Sequence, residues 1–121
     1  MRPRVLPKKE RLRRPAEFRA VFQGGRRIER PAVLVVWKQG EGTRKAGFTV
    51  SRQIRGAVSR NRARRRVREA YRASEYLLPP RVQAVFVARR NALNEPFDDL
   101  CRDVRSGLEV IAKGCTVTQV R

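Results

Sequence analysis

Eight arginines lie close together in the middle of the chain, and no acidic residue separates them. They are Arg52, Arg55, Arg60, Arg62, Arg64, Arg65, Arg66 and Arg68. A guanidinium group binds phosphate through two parallel N–H···O bonds, and it also stacks on planar bases. The chemistry that these residues could perform is therefore the binding of a polyanion.

The spacing of these arginines is that of a helix. From Val58 to Ala73 the chain has no glycine or proline, and one narrow apolar stripe recurs with a helical period. This stripe consists of Ala63, Val67, Ala70 and Tyr71. Two basic stripes accompany it: Arg60, Arg64 and Arg68, and beside them Asn61, Arg65 and Arg68. Like charges at i, i+4 destabilise a bare helix, so these stripes favour an anionic partner. The Asn61 amide can both donate to and accept from a nucleotide.

The overall composition supports the same interpretation. The 121 residues include 30 Lys+Arg against 11 Asp+Glu, a formal net charge of +19. Residues 95–121 hold slightly more acidic than basic side chains, so the excess lies entirely upstream of them. A charge this large opposes compaction unless a polyanion offsets it. The chain has no histidine, which removes the commonest general base and metal ligand.

Cysteine usage and hydropathy indicate a cytoplasmic protein. Cys101 and Cys115 are far apart and form no CxxC pair, so neither a zinc ribbon nor a disulfide framework is indicated. No apolar stretch fits a signal peptide or a membrane span, so no membrane partner is expected. Cys101 falls on the apolar face of a predicted helix and is most simply a core residue.

The elements before the arginine helix are a basic arm, a helix and a predicted hairpin. Residues 1–14 are basic and proline-broken, which indicates a flexible arm. A helix runs from Pro15 to Gly24-Gly25, and its aromatic face holds Phe18, Val21 and Phe22. The β-branched run 32–37 predicts a buried strand, and 46–51 predicts the returning strand of a hairpin after a turn at 40–42.

The elements after the arginine helix complete one domain. Pro79-Pro80 is expected to end that helix, and Val82 to Ala88 reads as a central strand. Asn94 is expected to cap a last helix, whose first turn holds three acidic residues, Glu95, Asp98 and Asp99. Its core face is Phe97, Leu100, Cys101, Val104, Leu108 and Ile111, and residues 113–121 form a tail without a pattern.

The predicted fold class is therefore α+β, a four-stranded sheet packed with three helices in the order α-β-β-β-α-β-α. The domain spans residues 15–112. The strand–helix–strand stretch 46–88 implies a crossover connection between parallel strands.

Within this frame, one motif is specific. The motif begins with Val50-Ser51-Arg52 and continues over residues 57–69 with Ala-Val-Ser-Arg-Asn-Arg-Ala-Arg-Arg-Arg-Val-Arg-Glu. It closely resembles the RNR signature of the bacterial ribonuclease P protein subunit. The resemblance extends from about Arg11 to Ile111, including the Ala88-Arg89-Arg90 end of the late strand.

The resemblance implies a fold, partners and a role. The family fold contains a left-handed βαβ crossover, an exception to the usual hand. Its members bind the catalytic RNA of ribonuclease P, which performs Mg²⁺-dependent cleavage of precursor tRNA, so catalysis resides in the RNA and not in this chain. The protein aids removal of the 5′ leader to generate the mature tRNA 5′ end. The RNA-contact residues that follow from the match are Arg52, Arg60, Asn61, Arg62, Arg64, Arg65 and Arg68.

A cleft between the first helix and the sheet holds the 5′ leader in this family. Phe18 and Phe22 become its aromatic residues, which stack on bases without regard to sequence. The family often has an aromatic near the middle of the long strand, where Val35 stands here. Trp37 lies two residues on, on the same face of the strand, and is the third candidate for the leader cleft; whether it replaces that aromatic is left open by the sequence.

Three other functions fit parts of the pattern. A structural protein of the ribosome would share the charge and the basic arm, but it would not require the Arg60-Asn61-Arg62 spacing. A DNA-binding basic helix of the zipper type would continue into leucine heptads, which Pro79-Pro80 interrupts. A nuclease acting alone would need a carboxylate metal site, and the three acidic residues of the last helix begin an element that packs.

Overall fold

The computed structural model describes residues 10–40 and 42–120, with side chains up to residue 114. The elements in chain order are α1 (Pro15–Gly24), β1 (Arg26–Glu29), β2 (Val33–Gln39), β3 (Lys45–Val50), α2 (Ala57–Arg72), β4 (Val82–Ala88), α3 (Asn91–Asn94) and α4 (Phe97–Val120). A 3-10 turn, Glu75–Leu77, follows α2. This arrangement confirms the predicted α+β class with four strands.

The four strands form one mixed sheet in the order β1-β2-β4-β3. Strand β4 is antiparallel to β2 and parallel to β3, so the predicted crossover between parallel strands is confirmed. In β2, residues 33–37 are all buried, as expected for a strand with a neighbour on each side and a covered surface on both faces. The left hand of the crossover stays a prediction.

The predicted hairpin between residues 32–37 and 46–51 is wrong. The hairpin joins β1 to β2, with Arg26 opposite Trp37 and Glu29 opposite Leu34, and β4 lies between β2 and β3. Strands β2 and β3 are therefore not neighbours in the sheet, and Glu41 of the predicted turn lies outside the described residues. A turn signal in the sequence does not reveal whether the next strand pairs with the preceding strand or leaves space in the sheet for a strand that comes later in the chain.

One face of the sheet is covered by α2 and α4. The apolar stripe of α2 predicted from sequence is buried in full, and Tyr71 forms an aromatic group with Phe48 and Phe86, with ring centroids 5.2–5.5 Å apart. On α4, the predicted face is buried at Leu100, Val104, Leu108 and Ile111, whereas Cys101 is half-buried and Phe97 is exposed. We call this side of the sheet the covered face.

Within the described part of the chain, the opposite face is covered only by α1 and the segment before it, and we call it the α1 face. Val21 packs there on Leu34, Val36 and Val85. Leu12 is buried in the same cluster, its N–H donates to the Ala46 carbonyl at 3.0 Å, and so residues 10–14 of the predicted arm lie on the sheet. Residues 1–9 of that arm lie outside the described residues.

The end of the chain departs from prediction in its helix boundaries. There are four α-helices instead of three, because Asn94 ends the short α3 and does not cap the last helix. Pro96 has no N–H to continue α3, and its carbonyl accepts from Asp99 and Leu100 in the first turn of α4. Helix α2 ends at Arg72, several residues before Pro79, and the α4 backbone continues past Ala112 to Val120.

A helix that crosses a bilayer needs about 20 consecutive, mostly apolar residues. Among those that the structure describes, no helix combines the length and the apolar composition needed to cross a bilayer.

Candidate nucleic-acid interface

The arginine-rich segment lies at one end of the sheet. Because β3 and β4 are parallel, their carboxyl ends meet at the same edge. The β3–α2 loop and the β4–α3 connection therefore face each other, and a cleft of about 770 Å³ lies between them. We call it the loop cleft. It is lined by Arg52, Gln53, Ile54, Arg55, Ser59, Arg90, Leu93 and Asn94.

The β3–α2 loop has a defined shape that exposes its arginines. Ile54 is buried, and its N–H donates to the Ser51 carbonyl at 3.1 Å. Gly56 precedes α2 with φ of 89°, a left-handed conformation that favours glycine. With Ile54 turned inward, Arg52 and Arg55 point outward and are exposed.

The predicted RNA-contact residues of α2 fall into two groups. One group is exposed, and the side chains of the other are half-buried or hydrogen-bonded within the protein. Asn61, Arg62 and Arg65 are exposed on the side of the helix opposite the buried stripe. Arg64 is half-buried and donates to the Asn61 side-chain oxygen at 3.0 Å. Arg68 is half-buried as well. The structure therefore brings most of the predicted set together on one basic surface.

Arg60 differs from the rest of this predicted set. Its Nη1 donates to the carbonyls of Ser51 at 3.0 Å and Ile54 at 2.9 Å, and its Nη2 donates to Val50 at 3.4 Å. The side chain is therefore directed into the loop, not outward. A motif match cannot show this, because it does not reveal which guanidinium meets a backbone turn.

Two further arginines are also used inside the protein. Arg66 donates to the carbonyls of Ala92 and Glu95 and so ties α2 to α3. Arg89 donates to the Glu29 carboxylate at 2.7 Å and to the Arg30 carbonyl, which fixes the β1–β2 turn. Neither was placed in the predicted contact set.

The aromatic side of α1 faces the uncovered part of the sheet. Glu17 reaches Lys45 at 3.3 Å, whereas a methyl group added at Gly47 would lie 2.8 Å from the Phe18 ring. Since Gly47 is further along β3 than Lys45, the side of α1 that carries Phe18 and Phe22 faces the carboxyl end of β3. Phe18 is half-buried, and Phe22 is 39% exposed.

A second cleft, of about 450 Å³, lies beyond α1 on this face, and we call it the sheet cleft. It is lined by Pro31, Leu34, Ser51, Gln53, Val87, Arg89, Arg90 and Asn91. Gln53 and Arg90 line both clefts, so a continuous path leads around the end of the sheet. Arg90 is exposed, and the only sequence signal for it was the Ala88-Arg89-Arg90 strand end.

The prediction that Trp37 belongs to the aromatic cleft is wrong. Trp37 is 5% exposed and packs in the covered-face core, and its ring lies 3.3 Å from a methyl group added at Gly114 of α4. Val35 shares that face, whereas Leu34 and Val36 point to the α1 face. The error arose because alternation shows which residues share a face, but not which face the first helix covers.

Carboxyl groups are few near the interface, and their pKa values reflect local contacts. Backbone hydrogen bonding from Arg14 lowers the pKa of Glu17 below its ordinary value. Burial, reinforced by Asp103, raises the pKa of Glu95, and burial raises that of the Cys101 thiol. In the described part of the chain, no group of three or more His, Cys, Asp or Glu side chains could hold a metal ion.

These features define a class, a small α+β protein with a basic surface and two clefts at one end of its sheet. The model of the Ribonuclease P family matches residues 6–112. The ribonuclease P protein component of Chloroflexus aurantiacus is 47% identical over 100 residues, covering 78% of this chain and 71% of that protein. The one from Symbiobacterium thermophilum is 41% identical over 110 residues, covering 86% and 92%.

Solved structures show the same fold. The RNase P protein from Thermotoga maritima superposes with a TM-score of 0.73 at 23% identity, covering 84% of this chain and 97% of that one. The Staphylococcus aureus RNase P protein gives a TM-score of 0.70 at 18% identity, covering 84% and 94%. The chain belongs to the ribonuclease P protein family, whose function is tRNA processing by an RNA-containing nuclease.

Proposed function

We propose that this chain binds the catalytic RNA of ribonuclease P and the 5′ leader of precursor tRNA, and so aids removal of the leader. The observation that carries the proposal is the continuous path from the sheet cleft to the loop cleft, with exposed cations along it. The loop cleft reaches α2 at Ser59, and the sheet cleft lies on the same face of the sheet as α1, with Leu34 and Val87 in its lining.

The catalytic RNA is the partner proposed for the α2 surface. Arg62 and Arg65 are exposed there, neither forms an ion pair with a carboxylate of residues 10–40 or 42–114, and Arg52 extends the surface along the loop. Each guanidinium that replaces a counterion at a phosphate favours binding, and the number of such contacts sets the dependence on salt. A folded RNA with closely spaced backbones can engage several of them at once.

The 5′ leader is the ligand proposed for the sheet cleft. Its lining includes the apolar side chains of Leu34 and Val87, and α1, which carries Phe22, packs on the same face of the sheet. Apolar and aromatic surfaces stack on any base, which suits a strand of variable sequence. Arg90 at the exit of the cleft supplies a cation for the leader backbone.

Cleavage is proposed to be the work of the RNA subunit with Mg²⁺ bound to it. The protein contributes positive charge, which offsets phosphate repulsion that Mg²⁺ must otherwise screen. We therefore expect the protein to lower the Mg²⁺ concentration that the RNA needs, and we expect RNA-free protein to leave precursor tRNA intact. Metal-dependent cleavage by the RNA-free chain would contradict this assignment.

The decisive experiment is to sequence the RNA that copurifies with the protein. A structured RNA of the ribonuclease P type would support the proposal, whereas ribosomal RNA alone would overturn it. Arg65→Ala then tests the α2 surface, where we expect a loss of about 1–3 kcal/mol in binding to the catalytic RNA. Binding and salt dependence equal to those of the unmodified protein would mean that α2 faces solvent in the complex.

A further inference from the structure

Arg60 holds the β3–α2 loop from inside. Nη1 carries two hydrogens, and the carbonyls of Ser51 and Ile54 accept both of them. The third contact, from Nη2 to Val50, reaches the last residue of β3. A phosphate could take the Nη1 donors only if the loop first released them. Three of the five N–H donors of Arg60 are therefore used inside the protein, and its Nη1 has none left to offer an RNA.

The loop that Arg60 holds carries the cations of the loop cleft. Arg52 and Arg55 are exposed on either side of the buried Ile54. Fixing the backbone of one residue costs about 1–2 kcal/mol in conformational entropy. If the loop is ordered before RNA arrives, that cost does not reduce the affinity.

We propose that Arg60 is a positioning residue, which orders residues 51–55 so that Arg52 and Arg55 meet RNA phosphates in a preformed geometry. The proposal rests on the RNA-binding function given above, and it assigns to the first arginine of the RNR motif an internal role. A direct phosphate contact and a positioning role both predict weaker binding when Arg60 is replaced. They differ in the salt dependence of that loss.

The test measures binding of a bacterial ribonuclease P RNA transcript by Arg60→Met over a range of salt concentrations. We expect the affinity to fall about 5- to 30-fold, the equivalent of ordering one residue, with the salt slope unchanged. Arg65→Met is the contact control, and it should reduce the slope by about 0.7–0.9, the value of one lost phosphate contact. Arg105→Met, an exposed arginine on α4, gives the effect of removing one charge elsewhere.

Amide hydrogen exchange in the free protein supplies a second readout. In Arg60→Met, the Ile54 amide should exchange faster, while amides of the β4 core should keep their protection. Ile54→Ala loosens the same loop with every charge in place, so it should also lower the affinity without changing the slope. This variant covers the case in which Arg60→Met fails to fold.

Two results would overturn the proposal. A slope reduced as in Arg65→Met would make Arg60 a phosphate contact, and unchanged affinity would make it purely structural. If the unmodified protein binds ribonuclease P RNA no better than an unrelated RNA of equal length, the proposed function fails. The salt series on that unrelated RNA and the Ile54 exchange rate would still decide the role of Arg60.

Discussion

The two faces of the sheet are formed by the same strands but are buried to different extents. On the covered face, α2 and α4 bury a continuous core that includes Phe86 and Tyr71. On the α1 face, the ten-residue helix α1 buries Val21 against Leu34, Val36 and Val85, and Phe18 packs at Gly47. Val87, paired with Leu34, remains half-buried, and both residues line the sheet cleft.

This difference shows how a small fold can separate stability from binding. The covered face supplies most of the buried apolar area, so the α1 face can remain partly open without loss of the fold. The basic residues divide in the same way. Arg60, Arg66 and Arg89 brace turns from inside, whereas Arg52 and Arg65 remain exposed at the open end.

The largest expected effect comes from truncating the covered-face core. Phe86→Ala removes a fully buried ring that contacts both Phe48 and Tyr71, and we expect it to lower the free energy of unfolding by about 3–5 kcal/mol. Val87→Ala is the matched change on the α1 face, where the side chain is half-buried. Chemical denaturation should show a clearly smaller loss for Val87→Ala, and equal losses would contradict the contrast between the faces.

The contact between α1 and the sheet is the next feature to test. Gly47→Ala would place a methyl group 2.8 Å from the Phe18 ring and 2.9 Å from Leu12 Cβ. Both neighbours must shift, and overpacking of this kind costs about 1–3 kcal/mol in the free energy of unfolding. Phe18→Leu in the same chain should restore part of that loss by vacating space. The prediction fails if Gly47→Ala alone is as stable as the unmodified protein.

Substitutions at Phe22 and Trp37 distinguish the proposed leader cleft from the covered-face core. Phe22→Ala should weaken binding of precursor tRNA more than binding of mature tRNA, by about 1–3 kcal/mol per base that the ring stacks on. Trp37→Phe, on the covered face, should lower stability and leave the ratio of the two affinities unchanged. Measuring unfolding beside binding keeps a folding defect from passing as a binding defect. An unchanged ratio for Phe22→Ala would remove the ring from the leader site.

Sequence patterns predicted the elements that depend on local periodicity. The stripe on α2 and the strand 82–88 were placed correctly, because burial on one side imposes its period on the chain. Strand pairing was not, since β4 enters between β2 and β3 only after the α2 crossover. The face of Trp37 depends on that same non-local arrangement, whereas the inward direction of Arg60 depends on the backbone shape of the preceding loop, which a residue pattern does not reveal.

The smallest expected effect concerns a carboxyl group beside the covered face. The pKa of Glu95 is raised from its ordinary value of 4.5 by burial first, and then by Asp103 and Asp99, while Arg66 opposes the shift. Asp103 itself accepts the Ala32 N–H at 3.2 Å, which holds it at this place. A carboxyl with a raised pKa binds its proton more tightly in the folded protein than in the unfolded chain. The folded protein therefore loses stability as the pH rises from the pKa of Glu95 in the unfolded chain through its higher pKa in the folded protein.

Glu95→Gln should remove that loss. We expect the variant to be more stable than the unmodified protein at pH 7 by a few tenths to about 1 kcal/mol, the range for partly exposed charges. Well below pH 4.5 the carboxyl is protonated in both states, so the gain should disappear there. Glu109→Gln, at an exposed carboxylate on α4, controls for the amide substitution. Denaturation curves at the two pH values decide the matter: a gain of equal size at both would show that hydrogen bonding by the amide, not the carboxylate charge, governs stability at this turn.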